Sequence, residues 1–140
     1  MIIRQMTIND YEEVLSLWER TPGIGISEAD TRDNMYRFLQ RNPCLNMVCQ
    51  MDNRIVGTIL CGSDGRRGYI YHTAVEREYR LRGIALELVK EVLKRLRVLG
   101  IDKCHLFVFA DNKVGQDFWK AVGWQRRDDL LIFSKRSGES

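Results

Sequence analysis

The hydrophobic pattern of this chain changes period twice between residues 69 and 109, and that double change limits the fold more than any other feature. "YIYHTAV" (69–75) is strand-like, rich in aromatic and β-branched residues. From Gly83 to Leu99 the apolar residues Ala85, Leu88, Val89, Val92, Leu93, Leu96 and Leu99 recur at helical spacing, and Gly100 supplies a stop. "CHLFVF" (104–109) is strand-like again. A strand, a helix and a strand joined by short connections return to one sheet by a crossover, with the two strands parallel.

The rest of the chain is then fitted around that unit. "MIIRQM" opens as a short strand. Thr7 and Asp10 form a weak capping box, and Ile8, Tyr11, Val14, Leu15 and Trp18 mark one face of a first helix. "TPGIGIS" (21–27) breaks it. Ser27 and Asp30 restart a helix whose inward side is Met35, Tyr36 and Leu39, closed by "RNP" (41–43). "CLNMVCQM" (44–51), "RIVGTILCG" (54–62) and 69–75 form a meander, turned at Asp52–Asn53 and at Asp64–Gly65. Past the crossover come a short helix, "KVGQDFWKAV" (113–122), and a last strand, "LLIFSKR" (130–136). The expected architecture is α/β (α+β), in the order βααβββαβαβ on a mixed, mostly antiparallel sheet. One domain is expected over 1–136, with 137–140 a frayed tail.

Composition matters here for what it excludes. A chain of 140 residues, 44% hydrophobic and 29% charged, suits a single globular core. No apolar run approaches a membrane span, and "MIIRQMT" lacks a signal-peptide layout, so a cytoplasmic setting without a membrane partner is expected. Cys44, Cys49, Cys61 and Cys104 show no CxxC spacing and the only histidines are His72 and His105, so no metal site is expected. The net charge of +3 fits an anionic small molecule without demanding nucleic acid.

That charge is concentrated where the period changes. "REYRLRGIA" (77–85) sets Arg77, Arg80 and Arg82 just before Gly83, at the mouth of the long helix. A helix start already offers unpaired N–H groups and partial positive charge. Cations placed there oppose the dipole unless an anion sits among them. The amides of Arg82, Gly83, Ile84 and Ala85 can cradle a phosphate, Gly83 lets it approach the backbone, and the guanidinium groups add charge-assisted bonds. The plainer reading is a solvated basic helix entrance. Neither GxxxxGK[ST] nor GxGxxG is present, so P-loop and dinucleotide sites lack support.

"RLRGIA" (80–85) is similar to the R/Q-x-x-G-x-G/A signature of the GNAT N-acetyltransferases, and "DNKVGQDFWKAVGW" (111–124) resembles the second signature, an Asn followed by a helix and F-Y-x-x-x-G-F. "AVEREYRLRGIALELV", "SLWERT" and "VGTILCGSDGRRG" look like the small bacterial YpeA-like members. The resemblance implies a GNAT fold whose strands 69–75 and 104–109 splay apart to admit acetyl-CoA as cosubstrate. The pantetheine arm would bond the backbone at Thr73, Ala74 and Val75. The pyrophosphate would lie on the amides from Arg80 to Ala85, Ile84 among them. Asn112 would bond the pantetheine from the other side, with Arg77 and Lys113 reaching outer phosphates and Trp119 close by. The implied reaction is direct attack of a primary amine, on a small molecule or a protein, within a ternary complex.

Trp119 stands where the family often has a Tyr that protonates the departing thiolate. An indole N–H is no usable acid. A thiol of pKa about 8.5 nonetheless leaves as thiolate at neutral pH at a cost of only about 2 kcal/mol. Tyr36, Tyr71 or a water can supply the proton. Freeing an ammonium of pKa about 10.4 at pH 7 costs about 4–5 kcal/mol, so a base is expected. His72 is the first candidate, with Asp64 and Glu28 behind it. Around the second helix Asp30 and Asp33 could attract a cation and Arg32, Arg37 and Arg41 a carboxylate, so no acceptor is read. Two rival readings stay open: an acyl-CoA-binding sensor or partner module without turnover, and a small nucleic-acid binder on the basic run. The expected partners are acetyl-CoA and an amine, no specific nucleic acid, and a homodimer left open.

Overall fold

The structure, a computed structural model, describes residues 1–139, so the expected frayed tail ends on Ser140, outside the described residues. These residues fall into two compact units, Met1–Phe109 and Ala110 onward.

The first unit holds one five-stranded sheet in the order β1-β2-β3-β4-β5: β1 (Ile2–Gln5), β2 (Met47–Met51), β3 (Arg54–Ser63), β4 (Gly68–Val75) and β5 (Cys104–Leu106). The first three pairings are antiparallel and β4–β5 is parallel, as the period change requires. Asp52 and Asn53 take φ of 53° and 59°, so the β2–β3 hairpin closes on a two-residue left-handed turn without glycine.

Three helices cover the sheet: α1 (Tyr11–Glu19), α2 (Arg32–Arg41) and α3 (Ile84–Val98). Neighbouring residues on a strand point to opposite faces. Val48 joins the buried cluster of Val14, Leu17, Trp18, Met35, Leu60 and Ala74. Cys49 faces the other way. There a Cβ on Gly57 would stand 3.4 Å from the Cys49 Cβ, 3.0 Å from Ile84 and 3.2 Å from Leu88. So α1 and α2 lie on one face and α3 on the other, with Gly57 letting α3 approach closely. Helix α3 buries Ile84, Leu88, Val89, Val92 and Leu96.

Three local readings need correction. The Thr7/Asp10 and Ser27/Asp30 capping boxes both form, but each starts a 3-10 turn, Ile8–Asp10 and Glu28–Asp30, and the α-helices begin after them. Tyr36, expected inward, is exposed. Strand β5 stops at Leu106 rather than running to 109.

In the second unit α4 (Lys113–Ala121) is the regular element. Trp119 stacks edge-on with Phe118 and Trp124, at 4.9 and 5.1 Å between ring centroids. The last strand expected at 130–136 is absent: these residues form no ladder, and Leu130, Leu131, Ile132 and Phe133 are 57%, 85%, 66% and 91% exposed. Alternation and β-branching mark a segment able to pair; they do not by themselves provide an edge to pair with.

Candidate active site

The parallel ladder between β4 and β5 joins Gly68, Tyr69 and Ile70 to Cys104, His105 and Leu106. β4 continues to Val75, while no strand of this unit pairs with that side of it beyond Ile70. On its other side β4 remains bonded to β3, through Ala74 to Thr58 and Val75 to Gly57. Within this unit one edge of Tyr71–Val75 therefore has no strand partner, and Thr73, Ala74 and Val75 lie along it. Thr73 Oγ1 is buried and has no hydrogen-bond partner among the described residues. A buried hydroxyl without a partner is uncommon.

The ladder between β3 and β4 also slips here. Thr58 faces Ala74 and Leu60 faces Tyr71, so His72 and Thr73 together stand opposite Ile59. This is a β-bulge, which re-aims side chains. His72 takes φ of +45°, a left-handed conformation in which histidine is enriched but still uncommon. Its ring meets Trp18 edge-on at 4.6 Å. Its Nε2 lies 2.8 Å from Asp30 Oδ1, with side-chain exposures of 15% and 7%. Burial pushes the Asp30 carboxyl up, but the His72 hydrogen bond, the Ser27 amide and the imidazole charge outweigh it and hold the acid below its ordinary range. Asp30 is thus no exposed lure for a cationic amine: it is committed to His72. The sequence signal for Asp30 was the capping box, which explains its contact with Ser27 and gives no hint of a histidine 42 residues away.

Past Val75 the chain makes a 3-10 turn, Arg77–Tyr79, and then two left-handed steps, Leu81 (φ 65°) and Gly83 (φ 79°), before α3. A Cβ on Gly83 would meet nothing within 4 Å, so the space over the helix mouth is open. The first amides of α3 have no preceding carbonyl to bond. An anion fits both features. Two of the arginines also fasten the loop: Arg80 Nε donates to Val75 O at 3.0 Å, and Arg82 Nη2 to Glu78 O at 3.3 Å. The Arg82 guanidinium lies 5.0 Å from the centre of the Tyr79 ring. An open cavity of about 550 Å³ beside this loop pairs Arg20, Arg54 and Arg82 with Asp52, Glu76 and Glu78. Glu76 bonds both Arg20 and Arg54, so this cavity is balanced in charge and offers an anion less than the helix mouth does.

The structure gathers His72, Tyr71, Thr73, Ala74, Val75, Arg77, Arg80, Arg82, Gly83, Ile84 and Ala85 on one continuous stretch of the first unit. Tyr71 is 39% exposed, edge-on to Phe38, with its hydroxyl pKa raised by burial and by Tyr69 and Cys61, so it stays protonated at neutral pH. Asp64 is an exposed turn residue, accepting the Arg66 and Arg67 amides at 2.8 and 3.0 Å, which suits a turn rather than a base. Asn112 and Trp119 belong to the second unit. There Asn112 Oδ1 accepts the Gly115 amide at 3.0 Å and caps α4. Among the described residues no group of three or more His, Cys, Asp and Glu could hold a metal, and no helix is long and apolar enough to cross a membrane.

An acetyltransferase of Sodalis glossinidius is 34% identical over 136 residues, covering 97% of this chain and 95% of that protein. Among solved structures, PaiA N-acetyltransferase of Thermoplasma acidophilum in complex with coenzyme A superposes with a TM-score of 0.80 at 22% identity, over 91% of each chain. AAC(6′)-Iy in complex with the bisubstrate analogue CoA-S-monomethyl-acetylneamine gives 0.75 at 19% identity, over 96% of this chain and 97% of that one. Residues 11–124 match the Acetyltransferase (GNAT) family, and with that relative's identity along nearly the whole length, the chain belongs to this family.

Proposed function

We propose that this acetyltransferase moves the acetyl group of acetyl-CoA to a primary amine by direct attack in a ternary complex, with His72 as the base. The observation that carries the reading is the open edge of β4 from Tyr71 to Val75, leading through one loop to the bare helix mouth at Gly83. The backbone of Thr73–Val75 binds the pantetheine arm as an added strand would. The amides from Arg80 to Ala85 take the pyrophosphate, and Arg77 the outer phosphate. The coenzyme-bound and bisubstrate-bound structures named above support acetyl-CoA and an amine as the two ligands.

Acetyl-CoA supplies an activated thioester. As the amine nitrogen bonds to the carbonyl carbon, the C–S bond breaks and the sulfur leaves with its electron pair. His72 receives the proton shed by the nitrogen, and Tyr71 or solvent returns one to the thiolate. His72 sits beside the open edge, on the bulge, and so within the sheet that would hold the thioester.

The test is calorimetric titration with acetyl-CoA, followed by thiol release with a panel of primary amines. Binding together with amine-dependent thiol release is expected. Binding without turnover on any amine would favour the sensor reading, and no binding would remove the site.

A further inference from the structure

Asp30 and His72 are fixed to an extent that neither a surface ion pair nor a loop contact requires. The Asp30 carboxylate has both oxygens committed: Oδ2 accepts the Ser27 amide at 3.0 Å, and Oδ1 faces His72 Nε2 at 2.8 Å. Its carbonyl accepts the Tyr11 hydroxyl at 2.6 Å, tying the 3-10 turn to α1. His72 is held as firmly. Its carbonyl accepts the Thr58 hydroxyl at 3.0 Å, and Thr58 Oγ1 accepts the Trp18 indole N–H at 2.9 Å. Trp18 also packs its ring on the imidazole. The backbone at His72 is left-handed, a conformation that persists where the surroundings impose it and that clusters at functional positions.

An ionised carboxylate can only accept a hydrogen bond. Whatever faces Asp30 must therefore be an N–H, so Nε2 carries a proton, and in the neutral ring the lone pair is on Nδ1. A carboxylate aimed at one imidazole nitrogen also steadies the charge that forms when the other takes up a proton. We propose that Asp30 is the positioning residue for His72, holding the imidazole in its Nε2–H tautomer so that Nδ1 is the atom that accepts the amine's proton. This inference depends on the reading of His72 as base.

The experiment pairs nitrogen-15 NMR of the imidazole with steady-state kinetics. The unmodified protein, at a pH where His72 is neutral, should show the Nε2–H tautomer alone. An Nδ1–H ring there overturns the proposal, whatever any variant does. In Asp30→Asn the amide has a single acceptor oxygen for the two N–H groups of Ser27 and His72. The tautomer should shift toward Nδ1–H, kcat should fall about tenfold to a hundredfold, and KM for acetyl-CoA should stay within about twofold. A kcat close to that of the parent protein, or a fall in kcat with the tautomer unchanged, would refute it. His72→Gln separates the two ideas. If that variant keeps full kcat, His72 is not the base, and the tautomer measurement alone then decides whether Asp30 sets the ring.

Discussion

At the scale of single residues, the candidate site depends on two side chains in uncommon states: a left-handed His72 and a buried Asp30. Acid should reveal the carboxylates. Asp30 is held below its ordinary pKa against the upward push of burial, and Glu76 is held below its own chiefly by the Arg20 hydrogen bond. A depressed folded pKa contributes stability that is present above the unfolded value, near 4, and lost as pH falls through the folded one. The melting temperature should therefore drop steadily below about pH 4, and Asp30→Asn should shallow that drop. A melting profile that is flat to pH 2 would contradict it. Trp119 packs against Phe118 and Trp124, a role that tyrosine can largely fill, so Trp119→Tyr should keep or raise thiol release while remaining folded. A severe loss of activity without unfolding would give the indole a role of its own. His72 could be singled out from sequence because of its type and strand; Asp30 could not be assigned to it. Short-range capping chemistry explains Ser27–Asp30, and the longer contact depends on how the 3-10 turn docks on the sheet.

At the scale of elements, the strand–loop–helix from β4 to α3 was legible because one period gives way to another, with Gly83 at the join. Gly83 lies at φ 79° with open space where a Cβ would go. In Gly83→Ala the left-handed backbone should cost about 1 kcal/mol, a fall of roughly 3 °C in melting temperature. Acetyl-CoA affinity should fall by about tenfold or more, because the methyl group occupies the space above the amides. Calorimetry on a variant that melts at nearly the parent temperature separates the two effects. Arg82→Glu should weaken acetyl-CoA by about 1–3 kcal/mol and also forfeit the contact with Tyr79. Unchanged affinity would place the phosphates elsewhere. The bulge at His72 was not legible: nothing in "YIYHTAV" marks where the register slips, because the slip comes from β3 and β4 pairing over their whole lengths.

At the scale of the whole molecule, the sequence carried the element order through α4 and the parallel pairing of β4 with β5, while it overstated regularity in two places. β5 is half its expected length, and that shortfall is what leaves β4 with an open edge. The segment 130–136 has the composition of a strand but no ladder. Local pattern reports what a segment can do, and pairing needs a partner whose availability is a property of the fold. The uncharged stretch "LLIFS" has no Pro or Gly and presents four large side chains to water. Such a stretch is prone to stack on its own kind. Concentrated solutions should turn hazy sooner on warming than dilute ones, and a lysine placed at Ile132 should keep them clear, a difference that light scattering at matched concentrations would register.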